Sequence, residues 1–166
     1  MKINKIKKRK KPTKKQKLKV GYNTKFNVEV ILKRAGKVID RFLKHNVSTT
    51  VGKYHIADQL AEVHDEAEMG WMEIGSGADA GADPTALTTA LSRLALTSRD
   101  QQAGASADEV LYQCVWAAGV GTGTVTEAGI FNASSAGIIL CYVHFDSAIP
   151  KVADVELTLK WTATIS

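Results

Sequence analysis

Several features that define common protein classes are missing from this chain of 166 residues. No apolar run is long enough to cross a bilayer, and no hydrophobic segment follows the charged N-terminus, so we predict neither a membrane protein nor a secretory signal. There are only two cysteines, Cys114 and Cys141, and their spacing predicts no disulfide framework. We expect buried free thiols in a reducing compartment, with a bond between them as the alternative.

Acidic residues are absent from residues 1–19, so the net charge of +5 is the sum of a basic segment and an acidic remainder. This segment carries half of the 22 Lys and Arg residues, whereas residues 20–166 hold the other eleven and all 17 acidic residues, a net charge of −6. We therefore predict a basic extended arm at residues 1–20 and a globular domain at residues 21–166. The cations of the arm are Lys2, Lys5, Lys7, Lys8, Arg9, Lys10, Lys11, Lys14, Lys15, Lys17 and Lys19.

The first 19 residues also lack aromatic side chains, which limits what the arm could bind. Without rings it offers no base stacking, so contact with nucleic acid would involve phosphates and would be independent of base sequence. The other candidates are an acidic protein surface, with the arm threading over or between neighbouring subunits, and a nuclear-localisation run. We favour the protein surface.

Alternating apolar residues indicate a mainly β chain, most clearly in the last stretch, 155–165, where one face is apolar and the other polar. We predict an antiparallel β-sandwich of about seven or eight strands with one packed helix and an extended basic N-terminal arm. No internal repeat or coiled-coil heptad is present, so we expect no fibre shaft. The strand-like runs lie at 25–33, 37–43, 71–74, 93–99, 109–116, 124–131, 138–145 and 155–165.

One helix is predicted near residues 50–66, because Ser48–Thr50 supply hydroxyl groups that suit a helix N-cap. A helical turn is also expected at Thr85–Leu91. The apolar stripe expected on the helix consists of Ile56, Leu60 and Val63.

The sequence predicts no catalytic residue, no metal site and no cofactor. His55 and His64 lie nine residues apart and face different sides of the predicted helix, so we expect surface histidines. The loop Gly75-Ser76-Gly77 lacks the Lys-Ser/Thr pair of a phosphate-binding loop. Cys141 and His144 are three residues apart in a strand, which places them on opposite faces and argues against a catalytic pair.

Glu127 is the acidic residue that stands out, because it lies inside an apolar strand-like run. A buried carboxylate without a partner is costly. We predict a structural ion pair between Arg93 and Glu127, with a catalytic acid and a solvent-facing residue as the alternatives.

A resemblance to a known family rests on the order and spacing of six short pieces within residues 45–166. They are His45-Asn46, Trp71–Gly77 (WMEIGSG), Pro84–Arg93 (PTALTTALSR), Thr124–Asn132 (TVTEAGIFN), Ile149-Pro150-Lys151 and Leu157–Thr162 (LTLKWT). In these pieces the chain resembles small virion proteins of tailed bacteriophages, described as tail-fibre-like, minor tail or capsid-associated accessory proteins. The resemblance implies a β-sandwich structural module without enzymatic activity.

Two departures from the longer fibre-like members refine this expectation: the chain stops directly after its last strand, and it carries the Lys-rich arm. Both favour a short accessory subunit, a capsid cement or a tail or neck decoration, over a receptor-binding fibre. Our first interpretation is a capsid cement or decoration subunit anchored by the arm. The alternatives are a tail, neck or fibre-attachment accessory protein and, in another class, a sequence-nonspecific nucleic-acid-binding protein. The expected partners are major capsid or tail proteins and further copies of the chain, in a virion assembled in the host cytoplasm.

Overall fold

The computed structural model describes residues 24–61 and 66–166. The predicted Lys-rich arm lies outside these residues, as do His64 and Asp65. The described part is mainly β, with ten strands, one α-helix (α1, Thr50–Leu60) and a 3-10 helix (Gly104–Ser106). The strands are β1 (Thr24–Arg34), β2 (Lys37–His45), β3 (Val47–Ser48), β4 (Trp71–Gly75), β5 (Ala90–Ala95), β6 (Ser98–Gln101), β7 (Glu109–Trp116), β8 (Gly123–Phe131), β9 (Ile139–Lys151) and β10 (Val155–Ile165).

These strands form two antiparallel sheets of five strands each, with one apolar core shared between them. Sheet A has the order β2-β1-β10-β7-β6, and sheet B has the order β3-β9-β8-β4-β5. Sheet A contributes Trp116 and Trp161 to the core, and sheet B contributes Met72 and Ile130, all of them without solvent exposure. The predicted class, a mainly β antiparallel sandwich with one helix, is confirmed at this level.

The described part contains more strands than the seven or eight that were predicted. One addition is β3, whose two residues pair with Tyr142 and Cys141 of β9 and are too few to leave a sequence pattern. The other arises because the predicted strand at 93–99 is two strands in different sheets. Leu96 donates its backbone N–H to Gly70 beside sheet B, whereas Thr97 donates to Gln113 of sheet A. The chain therefore passes from the edge of sheet B to the edge of sheet A between these neighbouring residues.

The predicted helical turn at Thr85–Leu91 is wrong. The backbone there bends without forming a helix, and β5 begins at Ala90.

The alternation predicted for the last strand is confirmed except at Thr158, which is only 3% exposed, and at the terminal Ile165, which is 41% exposed. Leu157, Leu159 and Trp161 have no exposed surface, whereas Glu156 and Lys160 on the other face are half-exposed. β10 lies between β1 and β7 and pairs with both along its length, so both of its edges are occupied.

α1 begins at Thr50 with Thr49 as its N-cap, which lies within the predicted capping residues Ser48–Thr50. The Thr49 side-chain oxygen accepts a hydrogen bond from the Gly52 N–H at 2.9 Å, and its hydroxyl donates to the Ile139 carbonyl at 2.5 Å. Gly52 allows the helix to pack closely on β9, because a Cβ atom at this position would lie 2.1 Å from the Leu140 carbonyl oxygen. The first turn is therefore fixed to sheet B through backbone contacts.

The buried face of the helix differs from the predicted stripe. Leu60 is 68% exposed, Ile56 is half-buried, and Val63 lies outside the described residues. His55 is instead only 5% exposed, so the prediction that it is a surface histidine is wrong. The helix turns its face with Gly52 and His55 inward because the close approach to β9 sets its rotation.

Residues 76–89, which we call the covering loop, lie with α1 over the outer face of sheet B. Phe131 and Tyr142 point to this face and form a second apolar cluster, separate from the central core. The covering loop packs Ala80 and Leu87 against this cluster, and α1 packs Val51. Sheet B therefore has buried side chains on both of its faces.

Candidate functional site

The most deeply buried acidic group of the described residues is the carboxylate of Glu127 on β8. It has no solvent exposure, and in the sheet it lies opposite Gly75 of β4 and His144 of β9. A bulge after Val125 shifts the alternation of β8, and the Glu127 side chain then lies under the covering loop. The site is thus formed by two central strands of sheet B and the loop that crosses them.

Four hydrogen-bond donors surround the Glu127 carboxylate. Its Oε1 accepts from the backbone N–H groups of Gly77 at 3.0 Å and Thr89 at 2.8 Å. Its Oε2 accepts from the Thr88 N–H at 3.0 Å and from the Tyr142 hydroxyl at 3.3 Å. These donors satisfy both carboxylate oxygens without a cation. One side chain therefore fastens both ends of the covering loop.

The phenol of Tyr142 extends this network toward the middle of the loop. Its oxygen accepts a hydrogen bond from the Ala80 N–H at 3.0 Å while its hydroxyl points to Glu127. Burial, together with the nearby carboxylates of Glu127 and Asp79, raises the pKa of Tyr142 to about 12. Tyr142 therefore remains a neutral donor throughout the physiological pH range.

Two glycines allow the loop to approach this carboxylate. A Cβ atom at Gly77 would lie 2.4 Å from Glu127 Oε1, and one at Gly75 would lie 2.7 Å from the same atom. Any side chain at these positions would displace either the carboxylate or the loop. The Gly75-Ser76-Gly77 segment thus binds a carboxylate of its own chain.

The covering loop is also bonded to the helix that follows β3. Asp83 accepts a hydrogen bond from the Thr50 N–H at 2.6 Å, at the first turn of α1. This bond lowers the pKa of the Asp83 carboxyl group below its ordinary value. The loop and the helix are therefore one connected layer on sheet B.

The predicted ion pair between Arg93 and Glu127 is wrong in its pairing. Arg93 pairs with Glu73 at 2.9 Å, and both side chains are only about a tenth exposed, at 11% and 10%. The strand register explains why Arg93 pairs with Glu73, since Glu73 lies directly opposite Arg93 in the β4–β5 ladder. Glu127 lies opposite Gly75 instead.

Arg93 also fixes the turn between β8 and β9. Its guanidinium donates to the carbonyl groups of Ala133 at 2.9 Å and Ala136 at 2.8 Å. The same group lies over the ring of Phe131, with 3.8 Å between Cζ and the ring centroid, which adds a cation–π contact. Arg93 therefore connects β4, β5 and this turn from one buried position.

A third polar group, Lys151 at the end of β9, is buried without a carboxylate partner among the described residues. Its Nζ donates to the Ala117 carbonyl at 3.0 Å and to the Val155 carbonyl. Burial lowers the pKa of Lys151 below its ordinary value, partly offset by the negative charge of Glu156. It joins the β7–β8 connection to the start of β10.

Both cysteines are free and buried, as predicted. Burial raises the pKa of Cys114 to about 12 and that of Cys141 well above its ordinary value, which keeps both as thiols. Cys141 lies in the central core, whereas His144 is half-exposed. The arrangement does not produce an activated thiolate.

His55 has an unusual environment for a histidine. Its Nδ1 is buried and makes no hydrogen bond. Burial lowers the pKa of His55, although the carboxylates of Asp58, Glu66 and Glu68 act in the opposite direction. Within residues 24–61 and 66–166, no three His, Cys, Asp or Glu side chains are grouped so that they could hold a metal ion.

Sequence reasoning identified Glu127 and Arg93 but missed the groups that bind them. The backbone N–H groups of Thr88 and Thr89 carry no side-chain signal, so no pattern could have identified them. Gly77 was visible, since a glycine two residues beyond a strand suggests a close backbone approach. Its partner depends on how the loop folds back over the sheet.

The chain matches no protein-family model, no curated protein and no solved structure. No helix in the described part of the chain is long and apolar enough to cross a membrane.

Proposed function

We propose that this protein is a non-enzymatic structural subunit of a tailed-bacteriophage virion, a capsid cement or decoration protein that attaches through its Lys-rich arm. The observation that carries the proposal is the separation of charge along the chain. Eleven cations and no acids lie in residues 1–19, ahead of a portion with a net charge of −6. Thr24, the first described residue after this segment, begins β1 in sheet A.

The buried polar groups of the sandwich support a structural role. Glu127 and Arg93 direct their hydrogen bonds to backbone groups and to one ion pair, which hold a loop and a turn against sheet B. Groups saturated in this way stabilise a rigid module and offer no free acid, base or nucleophile to a substrate.

The proposed mechanism combines electrostatics with burial of apolar surface. The arm is attracted to an acidic surface on the particle and becomes ordered when it docks. The sandwich then buries exposed apolar side chains against its neighbours. Such side chains are present on β2, where Val38 is 56% exposed and Leu43 is 73% exposed.

The first test is the number of copies per purified virion, measured by quantitative mass spectrometry against the major capsid protein. A ratio that follows the capsid lattice is the expected result for a cement or decoration subunit. A small fixed number of copies per virion would instead support the alternative, a tail, neck or fibre-attachment protein. Absence from the virion would overturn the structural role altogether.

The arm is tested by two variants of the full protein. One lacks residues 1–19, and the other keeps the length of the arm but has glutamine in place of all eleven cations. Both should lose attachment to undecorated particles and retain the far-UV circular dichroism of the folded core. A control in which every arm Lys becomes Arg keeps the charge and should still attach. Full occupancy by the arm-less protein would contradict the proposed mechanism.

A second candidate function, coating of DNA or RNA phosphates by the arm, is favoured by the same eleven cations. It predicts steep loss of affinity between low and moderate salt in a filter-binding titration, because each phosphate contact releases counterions. Absence of binding at low salt would exclude it.

A further inference from the structure

The two edges of sheet A differ in how they are protected. β2 pairs with β1 on one side, and on its other side no strand of residues 24–61 or 66–166 is bonded to it. The opposite edge strand, β6, has the polar sequence Ser98-Arg99-Asp100-Gln101, which is typical of an edge that avoids pairing. β2 instead exposes large apolar residues, Val38, Ile39 and Leu43, by 56%, 49% and 73%. An edge of this kind indicates a strand-pairing surface.

A cleft of about 310 Å³ opens beside this edge, between β2 and β9. Its wall contains Phe42 and Phe145, whose rings meet edge to face with centroids 6.3 Å apart. An ion pair between Lys44 and Asp146 at 2.5 Å crosses the same gap between the sheets. A strand added beside β2 would therefore cover an aromatic pair as well as unpaired backbone groups.

The charges along β2 argue against the cationic arm as the occupant. Lys37, Arg41 and Lys44 lie on this strand with one acid, Asp40, so the edge offers no net negative charge to attract a Lys-rich segment. Arg41 and Lys44 are each balanced by an ion pair, with Glu29 and Asp146, and Asp40 offsets the remaining Lys37. A nearly neutral edge with exposed apolar side chains fits a second edge of the same kind.

We infer that β2 is a self-association surface, on which β2 of a second copy pairs antiparallel about a two-fold axis at Phe42. In an antiparallel pair related by a two-fold axis, directly opposite residues lie on the same face. With Phe42 on the axis, Asp40 of each copy lies opposite Lys44 of the other, so two complementary pairs form. Arg41 then lies opposite Leu43.

Neighbouring registers are less favourable. An axis at Asp40 or at Arg41 would place like charges directly opposite each other, which destabilises a strand pair. An axis at Leu43 would leave Asp40 beyond the paired segment and place Arg41 opposite His45. The inferred register also stays on the regular part of the strand, since the irregularity of the β1–β2 ladder lies at Ile39.

The pairing would join the two copies of sheet A into one continuous sheet and close an isologous dimer. Because the paired β2 strands run in opposite directions, the two β1 strands do as well. The Thr24 ends of the two β1 strands would then lie at opposite ends of the joined sheet. The inference concerns the contact between copies, and it holds whether or not the protein belongs to a virion.

Charge reversal tests the register in the full-length protein. Asp40→Lys places lysines opposite each other, and Lys44→Asp does the same with aspartates, so each variant alone should raise the dimer dissociation constant about tenfold or more. Mixed in equal amounts, the two variants should form heterodimers, because positions 40 and 44 then carry opposite charges across both pairs. Sedimentation velocity over a concentration series gives the masses.

Asp100→Lys on the opposite edge of sheet A is the matched control, with the same charge change on an exposed strand residue. It should dimerise like the wild-type protein. Thermal unfolding confirms that each variant is folded. If Lys44→Asp does not fold, the comparison of Asp40→Lys with Asp100→Lys is sufficient to test the inferred contact. A monomeric wild-type protein at its highest soluble concentration, or an Asp40→Lys variant that dimerises normally, would overturn the inference.

Discussion

The outer faces of the two sheets differ in what covers them. On sheet A, Glu29 and Lys160 face outward and remain half-exposed, and the ion pairs there are at the surface. On sheet B, the covering loop and α1 bury Phe131 and Tyr142, and the polar groups beneath them are buried as well. Polar interactions therefore act in water on one sheet and out of water on the other, where their loss should cost far more.

The largest difference is expected for the two arginine pairs. Arg93→Ala should lower the free energy of unfolding by about 3–5 kcal/mol, because it leaves Glu73 buried without its cation. Arg34→Ala on sheet A removes a pair with Asp154 that is half-exposed, and should cost less than about 1 kcal/mol. Urea unfolding of both variants measures the contrast. Equal losses would mean that the covering layer does not shield the Arg93 pair.

Glu127→Gln should be the next most damaging change. The amide nitrogen of glutamine must face either the Thr88 N–H or the pair formed by the Gly77 and Thr89 N–H groups, so donors are left without an acceptor. We expect a loss of about 2–3 kcal/mol. The comparison variant Glu156→Gln weakens the half-exposed pair with Lys33 on sheet A, together with the attraction between Glu156 and Lys151, and should cost under about 1 kcal/mol.

Proteolysis separates a local from a global effect of Glu127→Gln. The covering loop, residues 76–89, should be cleaved faster in this variant at a denaturant concentration where the core remains folded. Unchanged cleavage of the loop would show that the carboxylate does not hold it.

Gly77→Ala tests the close approach of the loop. The added Cβ would lie 2.4 Å from Glu127 Oε1 and 2.5 Å from the Thr88 Cβ atom, so the loop must shift. We expect a loss of about 1–3 kcal/mol. Gly70→Ala is the control, since its Cβ would meet nothing closer than 3.8 Å, and it should change stability by less than about 1 kcal/mol. A neutral Gly77→Ala would place the loop farther from the carboxylate.

The smallest effect is expected from pH. Burial lowers the pKa of His55 below 6.5, so the unfolded chain binds its proton first as the pH falls. The contribution of His55 to the free energy of unfolding is therefore constant above about pH 6.5 and decreases as the pH falls below this value. The slope for one proton is at most about 1.4 kcal/mol per pH unit.

His55→Gln removes this ionisation while the other histidines remain. The variant should show a shallower loss of stability between neutral and mildly acidic pH than the wild-type protein. Parallel pH profiles of the two proteins would contradict burial of a neutral His55.

Strands with one buried and one solvent-exposed face could be predicted well from the sequence. β10 and β1 alternate apart from the buried Thr158 and Ile31, and their predicted inward residues, such as Leu157 and Val30, are buried. The helix N-terminus was also predicted, because the Thr49 hydroxyl acts within a few residues of its own position. The rotation of the helix was not predictable, since it depends on the contact between Gly52 and the Leu140 carbonyl, far away in the chain.

The candidate site shows the same division. Glu127 stood out because of its apolar surroundings in the sequence, which left a solvent-facing residue as an alternative, and the need for partners in a buried position followed from its charge. The identity of those partners did not follow, because backbone N–H groups at positions 77, 88 and 89 are chemically the same as any others. Arg93 was assigned to the wrong carboxylate because the strand register was unknown.

By itself, the sequence determined the mainly β class, the inward face of the last strand, a helix cap within Ser48–Thr50 and the contrast between a cationic arm and an acidic remainder. These depend on local periodicity and on charge, which no fold can alter. Only the tertiary structure decided that residues 93–99 divide between two sheets, that the covering loop is fastened to Glu127, and that β2 is the apolar edge. Those features depend on which distant strands become neighbours, and hydrogen bonds and burial between them exist only once the chain has folded.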